Sequence, residues 1–182
     1  MGEDGGCDVG AVRLQLGAGG EEGLVGWALR GLDRPVALDG LAAIPSGAPA
    51  RGPAPPSSHP LGAVAVDHVV ARTPDLARTT TALEAVGLEP RRTREAGGDV
   101  LQTFFVLGPA LLELVGPREP DGDGPARFWG LVLSVADLDA ACARLGDLCG
   151  QPRDAVQPGR RIAVVRREAG LGTACALMSP RD

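Results

Sequence analysis

Apolar and polar positions along this chain run through the same cycle twice. Strand-forming residues fill Val64–Ala71 and again Phe128–Val135. A helical pattern follows each run. In the second, Leu138, Ala141, Cys142, Leu145, Leu148 and Cys149 fall at helical spacing and make one apolar stripe. In the first, Pro74 suits an opening helical turn, with Thr73 before it as the cap. Gly87 and Gly150 are the expected helix stops. Strands are then predicted at Arg91–Glu95, Val100–Leu107 and Ala110–Val115, and in the second cycle near Arg153–Val156, Arg161–Arg167 and Thr173–Met178. Both cycles therefore read βαβββ.

The two cycles also share residues in register. VAVDHVVARTPDL at 64–76 is followed 62 positions later by ARFWGLVLSVADL at 126–138, which aligns Asp75–Leu76 with Asp137–Leu138. Pro90 and Arg91 match Pro152 and Arg153 at the same offset, and ELVGP at 113–117 matches ALMSP at 176–180 at an offset of 63. An internal duplication is the economical reading. It sets the expected division: units 61–120 and 126–180 within one domain, 61–182. Residues 48–60, APARGPAPPSSHP, read as a stiff Pro-rich linker, with His59 solvated in it. Residues 1–47 read as a β-rich extension that packs on the main body. Its strand candidates are Val12–Leu16, Leu24–Leu32 and Val36–Leu38, with Trp27 as a packing anchor.

Composition narrows the function. At 182 residues and 44% hydrophobic, the chain can bury a real core. Aromatics are 3% with no Tyr, so stacking platforms for bases are not expected. A net charge of −5 argues against nucleic acid as a partner. No apolar run approaches the ~20 residues that span a bilayer. The acidic, Gly-rich start lacks the features of a secretory signal, so a cytoplasmic location is expected. Cys7, Cys142, Cys149 and Cys175 form no CxxC pair, which argues against a zinc site or disulfide framework.

Two tandem βαβββ units, opening with DHVV and closing with LLELVGP, resemble the vicinal oxygen chelate superfamily of glyoxalases, bleomycin-resistance proteins and extradiol dioxygenases. The resemblance covers about Val64 to Pro180. It implies an α+β fold in which the two units form a curved, eight-stranded mixed sheet, a cup that holds a divalent metal. The ligands come from the first and fourth strands of each unit. Carried over by position, the metal ligands are His68 and Glu113, while the second unit offers Gly130 and Ala176, which have no ligating side chain. Half the constellation is kept and half is lost. Two donors hold a metal weakly, since catalytic zinc sites usually have three. A cofactor, if held, is a divalent Zn, Mn, Fe, Ni or Co, bound weakly or at the interface of a homodimer that pools two His and two Glu.

Strand alternation puts Val64, Val66, His68 and Val70 on one face, and Leu111, Glu113 and Val115 on one face. A carboxylate in the strand ALLELVG needs a partner, and His68 is the expected one. The pair could ligate metal, serve as an acid–base couple, or be a buried hydrogen-bonded pair with no chemistry. Phe128, Gly130, Val132, Ala176 and Met178 are expected to form an apolar half of the cup. They would either contact a small, largely apolar ligand or fill the space, and Phe128 suits filling best. Cys142 and Cys149 belong to the helix core. Arg160 and Arg161 either clamp an anion or stand solvated at a strand end, and REPDGDGPAR at 118–127 is the linker between units. The expected function is binding of a small molecule. A metal-dependent lyase or dioxygenase, and a degenerate structural or partner-binding protein, are the alternatives.

Overall fold

The computed structural model describes residues 5–17, 22–49 and 59–181. Most of the predicted Pro-rich linker, residues 50–58, lies outside the described residues. The N-terminal extension forms two small sheets. β1 (Gly6–Val9) and β2 (Val12–Gln15) make an antiparallel hairpin. β3 (Trp27–Leu29), β4 (Val36–Leu38) and β5 (Leu41–Pro45) make a three-stranded sheet with β5 central, parallel to β3 and antiparallel to β4. Neither β1 nor β5 was expected: GCDV and LAAIP are short and hold few β-branched or aromatic residues, so each gains its strand character from its partners.

The rest of the chain is βαβββ twice. The first cycle is β6 (Ala63–Arg72), α1 (Leu76–Glu84), β7 (Pro90–Gly97), β8 (Val100–Val106) and β9 (Leu111–Pro117). The second is β10 (Arg127–Val135), α2 (Leu138–Leu145), β11 (Arg153–Asp154), β12 (Arg161–Val165) and β13 (Ala174–Met178). All eight strands share one sheet in the order β11-β12-β13-β10-β6-β9-β8-β7. The two first strands, β6 and β10, are central and the two second strands lie at the edges.

Both helices open the same way. Asp75 and Asp137 have extended backbone, and each side chain accepts from the amide three residues on, Arg78 and Ala140, at 2.9 Å. The cap of α1 is therefore Asp75 and not Thr73. Thr73 Oγ1 is instead engaged with Thr79 Oγ1 at 2.7 Å and with the backbone of Asp75. The stop of α2 is Gly146 and not Gly150: Gly146 takes φ 55°, which a glycine adopts without steric cost. The apolar stripe then continues through a 3-10 turn, Gly146–Leu148.

The chain divides into two units. A central unit holds Gly23–Pro49 and Val69–Gly130, and a C-terminal unit holds Met1–Glu22, Ala50–His68 and Leu131–Asp182. In the central unit, Leu38, Leu41 and Ala43 of the three-stranded sheet are buried with Leu83 of α1 and Phe105, Leu112 and Leu114 of β8 and β9. Fully burying one such Leu or Phe contributes about 1.5–3 kcal/mol. Asp39, in the turn before β5, fastens this sheet to α1 through Arg78 Nε at 2.9 Å and Thr79 Oγ1 at 2.5 Å. In the C-terminal unit, Val135, Leu138, Ala141 and Leu177 are buried. The β1–β2 turn there lies on β6, close enough that a Cβ on Gly10 would stand 2.6 Å from the Val64 carbonyl oxygen. Among the described residues, no helix is long and apolar enough to cross a membrane.

Candidate functional site

Asp67 lies in the apolar run of β6 and is buried. Its Oδ2 is 2.8 Å from His68 Nδ1, and its Oδ1 accepts from Ser134 Oγ at 3.2 Å and pairs with Arg160 Nη2 at 2.8 Å. Arg181 Nη2 stands 3.5 Å from Oδ2. Burial alone would raise the Asp67 carboxyl. The hydrogen bonds of His68 and Arg160, with the Arg160 and Arg181 charges, outweigh it and hold that carboxyl well below the usual carboxylate range. Arg160 is therefore not a solvated strand end. It is 6% exposed, and Nε and Nη2 donate to the Ser179 carbonyl at 2.9 and 2.7 Å. Arg161 is the exposed member of the pair and meets Asp139 at 2.8 Å.

Beside this polar group is an apolar patch. Val132, Ala176 and Met178 are buried together, with Ala155 and Ile162 against them. The β12–β13 register pairs Ile162 with Met178 and Val164 with Ala176, so these side chains share a sheet face. Phe128 packs in the central unit against Trp27, edge to face at 5.2 Å, and joins the core around α1. Gly130 is buried in β10.

Glu113 is also buried, on β9. Its Oε1 accepts from Gln102 Nε2 at 2.6 Å, and Gln102 Oε1 accepts from Arg94 Nε at 2.7 Å. Phe104 lies directly opposite Glu113 in the β8–β9 register, and the guanidinium carbons of Arg92 and Arg94 each stand 5.2 Å from its ring centre. The buried carboxylate thus ends a relay from a cation through an amide. His59 is half-buried and not solvated: its Nδ1 accepts from the Leu61 amide at 3.2 Å, and burial lowers its pKa.

Sequence reasoning missed Asp67 and Ser134 and undervalued Arg160. The signal was present, because a carboxylate in VAVDHVV needs a buried partner by the same argument that singled out Glu113. Cys142 and Cys175 are buried and are not activated as nucleophiles. Burial pushes the Cys142 thiol up and raises Cys175 to about 11. No group of three or more His, Cys, Asp or Glu able to hold a metal occurs among the described residues. His68 Nδ1 is engaged by Asp67 and Glu113 Oε1 by Gln102. With Gly130 and Ala176 at the other two positions, His68 and Glu113 are two donors where catalytic zinc sites usually have three, so this set does not fit the resident metal that the resemblance implies.

Residues 65–160 match the Glyoxalase/Bleomycin resistance protein/Dioxygenase superfamily. The chain belongs to this superfamily. Solved structures agree in fold. Methylmalonyl-CoA epimerase from Mycobacterium tuberculosis superposes with a TM-score of 0.52 at 18% identity, over 66% of this chain and 90% of that one. A selenomethionine methylmalonyl-CoA epimerase gives 0.51 at 18%, over 64% and 95%. No curated protein matches the sequence. Against the superfamily's pattern, β6 and β9 carry polar residues where ligands are expected, and β10 and β13 carry Gly130 and Ala176.

Proposed function

We propose that this superfamily member binds a small, largely apolar organic molecule, with Val132, Ala176 and Met178 as the bed on which it rests. The observation that carries the reading is the clustering of these short or flexible apolar side chains on one face of β10 and β13. Gly130 and Ala176 put no metal donor at their positions, and a mostly apolar wall with a few placed polar groups is what small-molecule sites use. A thermal-shift panel of small apolar acids, ketones and aromatics tests it. At least one class should raise the melting temperature saturably, and Ala176→Phe should abolish the shift. A panel without any saturable response refutes the reading.

A second reading, acid–base chemistry at His68, is favoured by one contact. Asp67 Oδ2 at 2.8 Å from Nδ1 orients the imidazole and favours the proton on Nδ1. Under this reading a bound ligand exchanges a carbon-bound hydrogen with deuterated solvent, and His68→Gln stops the exchange while leaving affinity in place. A ligand that binds without exchange leaves the binding function alone.

A further inference from the structure

The Arg160 guanidinium is tied down through Nε and Nη2 only. Nε and Nη2 donate to the Ser179 carbonyl, and Nη2 also donates to Ser134 Oγ at 3.1 Å and faces Asp67 Oδ1 at 2.8 Å. Nη1 is buried and has no hydrogen-bond partner among the described residues. Buried donors are normally matched, and an unmatched one on a cation is costly. Asp67 cannot supply the match without giving up contacts, because its oxygens already serve His68, Ser134 and Nη2.

Strand geometry places this donor beside the apolar bed. Arg160 stands just before β12, two residues from Ile162, as Ser134 stands two residues from Val132 on β10, and Ile162 pairs with Met178. A cation with a spare donor thus borders short apolar side chains. The Ala155 amide donates to the Arg160 carbonyl at 2.8 Å, which ties down the loop that leads to it.

We propose that Arg160 Nη1 anchors the carboxylate of a short-chain monocarboxylic acid whose tail lies on Val132, Ala176 and Met178. This deepens the small-ligand reading above and rests on it. A carboxylate oxygen accepts from a guanidinium N–H in its own plane with charge assistance, which an amide or alcohol of the same shape lacks. Lysine is not equivalent, since a single ammonium cannot hold Ser179 and Asp67 while presenting a further donor in a fixed plane.

Isothermal titration of the full chain with propionate and butyrate, against butyramide and butanol, tests the assignment. Butyrate should bind saturably, at least about tenfold more tightly than butyramide, and more tightly than propionate. Arg160→Lys should lose about tenfold or more in butyrate affinity. Since Arg160 also holds Asp67, two further readouts keep the test sharp. Ala176→Leu, which retains Arg160, should lose butyrate binding without losing its melting transition. A crystal structure with butyrate should place a carboxylate oxygen within hydrogen-bond distance of Nη1. Butyramide or butanol binding as tightly as butyrate overturns the carboxylate anchor and leaves the small-ligand reading standing. A lone water on Nη1 in crystals soaked with butyrate also overturns it. If none of the probes nor any member of the broader panel binds, both readings fall.

Discussion

Asp67 and Arg160 are a buried ion pair in which each charge depends on the other for compensation. Removing one partner of such a pair leaves an uncompensated buried charge and costs about 3–5 kcal/mol. Asp67→Asn should therefore lower stability by about that amount in urea unfolding, while Arg161→Gln, at an exposed pair, should scarcely move the unfolding midpoint. The pH dependence has a definite sign. The Asp67 carboxyl is held below its unfolded value, so the unfolded chain binds the proton first as pH falls. Its stabilisation is fully present above about pH 4, the unfolded carboxylate value, and drains away toward the lower folded value. Wild-type and Asp67→Asn unfolding curves should converge as the pH drops below about 4. Persistence of the full difference at more acidic pH would show that the carboxylate is not what Arg160 requires.

At the scale of elements, the repeat in the sequence has a physical meaning. The shared Asp–Leu dipeptide is a helix cap followed by a buried first helical residue, Leu76 in one cycle and Leu138 in the other. Asp75→Ala and Asp137→Ala should each cost about 1 kcal/mol, read as shifted unfolding midpoints. The three-stranded sheet depends on a different device. Asp39 holds a positive φ of 49° in the β4–β5 turn, and its carboxylate bonds Arg78 and Thr79 on α1. Asp39→Ala should loosen β3–β5 by about 1–3 kcal/mol, seen as faster amide hydrogen exchange in Val36–Pro45 than in β8 or β9. Uniform acceleration across all these strands would mean that the sheet and α1 unfold as one.

For the whole molecule, the donor count sets the expectation about metal. The purified chain should carry less than one equivalent of divalent metal, and EDTA should scarcely move its melting temperature. The test is sensitive, because a metal present at 100 times its Kd and bound only to the folded state stabilises by about 2.7 kcal/mol. One metal per homodimer, lost together with the dimer's extra stability in His68→Ala, would mean that two chains pool His68 and Glu113. A full equivalent in a monomer would restore a metal-dependent enzyme, with a donor outside the set named above.

By itself the sequence determined the βαβββ order of both cycles and carried the resemblance to the superfamily, because alternation, helical spacing and a 62-residue offset are local periodicities repeated in one chain. It also determined the emptiness of two ligand positions, since Gly130 and Ala176 have no donor in any fold. Tertiary structure decided which polar groups meet. Asp67, Ser134 and Arg160 are 67 and 26 residues apart in successive steps, and only strand pairing and the turn before β12 bring them within hydrogen-bond distance. It decided as well that Phe128 stands against Trp27, and that Glu113 has an oxygen satisfied by Gln102. Side-chain partners follow from register and strand order, which long-range pairing sets and which a one-residue slip would invert.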